Sequence, residues 1–254
     1  MSMNTNETAF SRSEMLLGAQ ALETLHGSHA VLLGLGGVGS YCAEALARAG
    51  VGALTLVEHD CVSLTNLNRQ LYALHSTLGQ PKAAAAAQRI ADINPDCSVR
   101  ALELFYGAET AHTVFDRPID AIADAIDTVT AKLDLIVRAK DLGIPIVSCM
   151  GTGNKLDASL MRVSDISETS VCPLCRVMRR ELRARGIDRL PVVWSPEPPL
   201  TPQGTVENPD EADGVRKKAV PGSVSFVPPV AGMLLAGEII RRLLNLEQKG
   251  RTAL

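Results

Sequence analysis

Apolar and polar positions along the chain alternate between two periods. "HAVLLGL" (29–35), "ALTLVE" (53–58), "SVRALEL" (98–104), "DAIADAID" (120–127) and "IPIVSCM" (144–150) are short runs that read as strands, most of them near-continuously apolar. That apolarity marks strands buried on both faces. Between them lie segments of helical spacing: 14–26, "GGVGSYCAEALARAG" closed by Gly50, "PKAAAAAQRIADI" with Pro81 at its first turn, and "AKLDLIVRAKDLG". Strands alternating with helices at this interval predict an α/β fold: a Rossmann-like, mostly parallel sheet with right-handed crossovers and helices on both faces. Past residue 160 the pattern weakens. A basic helix is expected over 172–186, a long mobile loop over the proline- and charge-rich 195–222, a short strand at "SVSF" and a last helix from about 229 to 246. The chain reads as one domain, 1–254, with a core at 10–160 and an extension at 161–254, and shows no internal repeat.

Composition narrows the function classes. A hydrophobic content of 46% supports a sizeable core, and 3% aromatic content points to packing by small residues. The net charge of −3 excludes a globally basic nucleic-acid binder but leaves room for a local basic patch. Six scattered cysteines in mostly apolar contexts fit a reducing cytoplasm better than a disulfide framework. The polar start, MSMNTNETAFS, has no secretory pattern. The apolar run near the C-terminus is broken by prolines, Glu238 and an arginine pair, so no integral membrane insertion is expected.

The chemistry concentrates at strand ends. Gly34, Gly36 and Gly39, with Gly37 between them, form G-x-G-x-x-G after a strand and before a helix. Such a turn lets backbone approach a phosphate and aims a helix N-terminus at it. Glu58, ending the second strand, stands where an acid holds ribose hydroxyls. The glycines alone do not separate NAD, FAD and ATP. The stretch "VEHDCVSLTNLNRQ" does, because Asp60, Asn66, Asn68 and Arg69 follow the ribose carboxylate directly. Attack on an α-phosphate builds charge there and on departing pyrophosphate, and donors such as Asn66 and Arg69 stabilise it. Lys82 sits in a helix's first turn, where the dipole disfavours a cation by roughly 0.3–1 kcal/mol unless a polyphosphate is near. Asp127, expected to end the fourth strand, suits Mg²⁺ on the phosphates through one carboxylate and several waters. Asp124 reads as a residue that caps or orients its neighbours.

Together "GLGGVGS", "VEHDCVSLTNLNRQ", "GQPK" and "DAIDT" resemble the adenylating domain of the ubiquitin-activating-enzyme-like (ThiF/MoeB) superfamily. "INPDC", "DAIDTVTAK", "CMGTGNKLD" and "TSVCPLCRVMRRELRARG" are similar to its tRNA threonylcarbamoyladenosine dehydratase (TcdA/CsdL) branch. The resemblance implies ATP and Mg²⁺, with Glu58 on the ribose, Asn66, Arg69 and Lys82 on phosphates, and Asp127 on the metal. It also implies that Arg12 serves the ATP of a partner subunit in a homodimer. The implied reaction adenylates the carboxylate of threonylcarbamoyladenosine in tRNA, which then cyclises and expels AMP. The alternative is adenylation of the C-terminus of a ubiquitin-like sulfur carrier, and a sulfur-transfer protein is a further candidate partner.

Two features stand apart. Cys172 and Cys175 make one C-x-x-C, too few thiols for a complete Cys₄ zinc site, and ring closure within the substrate needs no enzyme nucleophile. They read first as structural or incidental cysteines, and their place before a helix leaves open a redox pair or catalytic thiolate. Arg176, Arg179, Arg180, Arg183, Arg185 and Arg189, extended by Arg216, Lys217 and Lys218, form either a solvated face or a phosphate-backbone surface for tRNA.

Overall fold

The computed structural model describes residues 7–204 and 221–246. The five apolar runs become β1 (His29–Leu33), β2 (Ala53–Val57), β3 (Ser98–Leu102), β4 (Ala121–Asp124) and β5 (Ile146–Cys149). Two further strands lie beyond the apolar runs, β6 (Arg162–Asp165) and β7 (Pro191–Trp194). The sheet order is β3-β2-β1-β4-β5-β7-β6, parallel throughout except that β6 runs antiparallel to β7. Periodicity missed β6 because it is an edge strand, incompletely buried, with one apolar residue in RVSD. It missed β7 because that strand has four residues and begins with proline.

Helices cover both faces. α1 (Ser11–Leu17), α2 (Ala19–His26), α3 (Gly39–Arg48), α4 (Lys82–Ile93), the single turn α5 (Ala111–Val114), α6 (Val129–Asp141), α7 (Pro173–Arg183) and α8 (Val227–Leu243) complete the described elements apart from short 3-10 turns. On one face Leu25, Leu46, Ile90, Leu235 and Ile239 join α2, α3, α4 and α8 into one apolar cluster with the sheet. On the other, Leu135, Ile136, Met178 and Leu182 bring α6 and α7 together. Across the α3–α4 seam, Glu44 takes a fork from Arg89 (2.7 and 3.1 Å) and a third bond from Arg48 at 2.8 Å.

Three sequence expectations are corrected. The helix over 14–26 is two helices, because Gly18 breaks it at φ +83°. "SVSF" is not a strand: Asn68 Nδ2 binds the Ser223 carbonyl at 3.0 Å and the backbone bends into α8. Within 195–222, Glu197 accepts the amides of Leu156 and Asp157, and Gly222 is doubly bonded to Asn154. Residues 205–220, the middle of the expected mobile loop, lie outside the described residues.

Candidate active site

Strand order reverses between β1 and β4, and open α/β sheets bind ligands in the crevice beyond the carboxyl ends of such neighbours. The glycine loop leaves β1 into this crevice. Gly34 stands at φ +85°, and a Cβ there would lie 2.6 Å from the Ala125 carbonyl oxygen of the β4 turn. A Cβ on Gly39 would lie 1.7 Å from the Gly34 oxygen. Only glycine lets these two turns close on one another. The start of α3 has no side-chain cap, and the amides of Gly36, Gly37, Val38 and Gly39 find no acceptor among the described residues. A Cβ on Gly36 would meet only Gln70 Nε2, at 3.9 Å, so the uncapped helix-start donors beside it can receive an anion, and the geometry fits a nucleotide phosphate.

The loop after β2 crosses this cradle. Leu71 N binds Ser40 Oγ at 3.1 Å and Tyr72 Oη binds the Ser40 carbonyl at 2.9 Å, fixing the loop to α3. Arg69 lies along Gly37, its Cγ 3.2 Å from where a Cβ would stand, and donates to the Thr65 carbonyl and Asn68 Oδ1 at 3.0 Å each. Burial draws its guanidinium below the ordinary arginine value. Asn66 is buried and spends its side-chain oxygen on Ser63 N at 3.1 Å, leaving the amide nitrogen as its donor.

Glu58 is buried with both oxygens in use, Oε2 accepting Leu35 N at 2.9 Å and Oε1 accepting the amides of His59 and Asp60. It therefore ties the end of β2 to the glycine loop. The Lys82 ammonium, expected to await a polyphosphate, is already met by Asp60 Oδ2 at 2.8 Å. That bond pairs the buried cation with a partly exposed carboxylate. Glu58, His59 and Asp60 bring ligand-type atoms within 4.8 Å of one another. Their oxygens are committed to amides, His59 and Lys82, which makes them a poor cation cage.

Asp127 does not end β4 but lies three residues beyond Asp124, in the turn that opens α6. It is exposed, with only Thr128 Oγ1 on it, at 3.3 Å, among the described residues, and a carboxylate of this kind suits Mg²⁺. A fully buried network holds this turn. Lys132 Nζ binds Asp124 Oδ2 and the Ile126 carbonyl, each at 2.9 Å, while Asp124 also accepts Ser148 Oγ at 2.5 Å and Ile126 N at 3.1 Å. Sequence reading placed Asp124 as an orienting residue but missed Lys132. The available signal was a lysine on the apolar stripe of α6, among Ala131, Leu135, Ile136 and Ala139.

Arg12 is not brought to this crevice. Neighbouring Phe10 packs against Gly50, at the opposite end of α3 from the glycine loop. Among the basic residues, Arg179 turns inward to donate to the Thr169 carbonyl and hydroxyl, and Arg180 and Arg185 pair with Glu181. Arg176, Arg183 and Arg189 are exposed and have no partner among the described residues, whereas Arg216, Lys217 and Lys218 lie outside them.

Comparison with known proteins decides the family, for the ThiF family model matches residues 10–253. The chain belongs to the ThiF family. This ThiF-family chain is 45% identical over 240 residues to the tRNA threonylcarbamoyladenosine dehydratase of Bacillus subtilis, covering 93% of this chain and 94% of that one. It is 37% identical over 175 residues to the Escherichia coli enzyme of that name, covering 69% and 65% of the two chains. The crystal structure of Escherichia coli TcdA in complex with ATP superposes with TM-score 0.83 at 29% identity, covering 95% of this chain and 96% of that one.

Proposed function

We infer that this chain is an ATP-dependent tRNA threonylcarbamoyladenosine dehydratase of the adenylating class. The observation that carries the reading is the uncapped start of α3, with Arg69 lying along Gly37 and the β4 turn that leads to Asp127 closing on Gly34. The relatives named for this reaction supply the substrate class. In this reading residues 10–160 hold the nucleotide, and 161–254 extend that one domain toward the tRNA.

The residues divide the work as follows. The α3 amides would receive phosphate oxygens, where an oriented N–H row and the helix dipole favour negative charge. Glu58 would turn its remaining lone pairs to the ribose, and Asn66 and Asn68 would donate beside it. Arg69, prepositioned on Gly37, would stabilise charge building on the α-phosphate and the leaving pyrophosphate. Lys82, already desolvated, would exchange Asp60 for a phosphate oxygen. Bound Mg²⁺ would supply charge neutralisation on the phosphates, held by Asp127. No side chain is required as nucleophile, because the activated carboxyl is attacked by a nitrogen of the same modified nucleoside, with AMP as leaving group and net loss of water.

A homodimer is supported by α1, in which no residue is buried and Met15 and Leu16 stand exposed next to Arg12. A second copy covering this face would carry Arg12 to its neighbour's crevice. A sulfur-transfer protein is the second candidate partner. Among the described residues no helix is long and apolar enough to cross a membrane, and a cytoplasmic location accords with a tRNA substrate.

Pyrophosphate release from ATP and Mg²⁺, measured with modified tRNA and separately with a ubiquitin-like sulfur carrier, tests the reading. Release that depends on tRNA supports it. Release that depends on the carrier alone moves the chain to the alternative.

A further inference from the structure

Cys172 and Cys175 have no part in the chemistry above. Cys172 is the N-cap of α7, Pro173 opens the helix, and Cys175 follows one turn on. Both thiols are free, and the two residues are 2% and 0% exposed. As the N-cap, Cys172 stands at the positive end of α7 with Cys175 three residues on, in the first turn, and its sulfur makes no side-chain cap bond. The neighbouring Cys175 thiol, more than any other group, draws the Cys172 thiol below the ordinary cysteine value against the opposing effect of burial. The bond to Cys172, together with burial, pushes Cys175 up; Thr169 and the Arg179 guanidinium act in the opposite direction on it. One sulfur is thus a stabilised nucleophile and the other a protonated neighbour waiting beside it. None of the other cysteines combines these features. Burial raises Cys97 to about 11 and Cys149 to about 12, burial likewise raises Cys42, and Cys61 is exposed.

We propose that Cys172 and Cys175 form a reversible dithiol–disulfide couple that exchanges with low-molecular-weight disulfides. The Cys172 thiolate attacks one sulfur of RSSR, the S–S bond breaks, and RS⁻ leaves to take a proton from solvent. Cys175 then gives up its proton and attacks the Cys172 sulfur of the mixed disulfide, expelling the second RS⁻, which that proton neutralises. The two cysteines are oxidised by two electrons and RSSR is reduced to two RSH.

Access is built into the turn that covers Cys172. Val171, a β-branched residue 44% exposed, stands at φ +60°, a conformation that L side chains avoid. The turn is closed locally by the bond from Cys172 N to the Ser170 carbonyl. In this proposal, local opening of the turn is the route by which a small disulfide reaches the sulfur.

The test equilibrates the full chain in mixtures of oxidised and reduced glutathione, quenches with acid, and maps alkylation of all six cysteines by mass spectrometry. Cys172 and Cys175 are expected to lose alkylation together along a single two-electron curve, while Cys42, Cys97 and Cys149 stay alkylated. In Cys175→Ser, Cys172 is expected to stop at the mixed disulfide with glutathione. The proposal is overturned if both thiols stay fully alkylated where the exposed Cys61 becomes glutathionylated. Stoichiometric zinc released from the chain by a thiol-blocking reagent also overturns it. The wild-type measurement decides the matter even if a variant does not fold.

Discussion

Replacing Lys132 by methionine removes the only cation from the buried network at the end of β4. Asp124 and Lys132 are both 0% exposed, and the ammonium makes two bonds of 2.9 Å, to Asp124 and to the Ile126 carbonyl. Loss of one partner of a buried ion pair costs about 3–5 kcal/mol, because the remaining charge stays desolvated and unpaired. For a chain of 254 residues, each kcal/mol moves the melting temperature by about 2–4 °C, so Lys132→Met should melt about 6–20 °C lower. Adding Asp124→Asn keeps an acceptor for Ile126 N and removes the orphan charge, so the double variant should recover most of the loss. Urea unfolding of the four proteins followed by circular dichroism gives the double-mutant cycle. The same turn carries Asp127, so Mg²⁺-dependent ATP affinity should fall further in the single variant than in the double. A single variant within about 1 kcal/mol of wild type, far below the range for a broken buried pair, or a double no better than the single, would refute the reasoning.

Arg69→Ala should lower pyrophosphate release by about 10²–10³ fold, the usual loss for one transition-state donor, with an unchanged melting temperature because the side chain is only half-buried. Gly34→Ala places a Cβ 2.6 Å from the Ala125 oxygen at φ +85°, and should abolish ATP binding by calorimetry along with a drop in stability. Burial would raise the Glu44 carboxyl, but the bonds from Arg89 and Arg48 overcome it and leave the group below its ordinary value. Its contribution is therefore present above the unfolded carboxylate pKa of about 4.3 and is lost as pH falls through the lower folded value. Glu44→Gln should accordingly show a shallower acid loss of stability in denaturant titrations below that pH. Replacing Arg176, Arg183 and Arg189 by alanine should weaken tRNA binding and flatten its salt dependence by about one unit of slope per lost phosphate contact, with ATP affinity unchanged; superimposable salt curves would make this a solvated face.

The central strands β1, β2, β4 and β5 were announced by the sequence, since burial on both faces demands apolar residues there. Strand β7, equally buried, was masked by its opening proline and its position beside the proline-rich segment. β1, β2, β4 and β5 fall inside the apolar runs, and the glycine loop falls where the strand-to-helix switch requires it. The edge strand β6 was illegible because one solvated face removes the need for apolar residues, and its partner β7 is too short to show a period. The candidate phosphate-binding residues were readable as types but not as bonds. That Lys82 already has Asp60, that Asn68 holds Ser223, and that Arg179 faces inward all depend on contacts between residues distant in sequence or on which side a helix turns. Lys132 shows the same limit from the other direction: a charged residue reads as surface until the carboxylate that neutralises it is placed beside it.

The most direct measurement incubates the purified chain with ATP, Mg²⁺ and tRNA carrying threonylcarbamoyladenosine, then digests the tRNA and weighs the modified nucleoside. The account requires a product lighter by one water, formed one-for-one with AMP and pyrophosphate and absent when Arg69 is alanine. An unchanged nucleoside mass while the chain adenylates a sulfur-carrier C-terminus would contradict it.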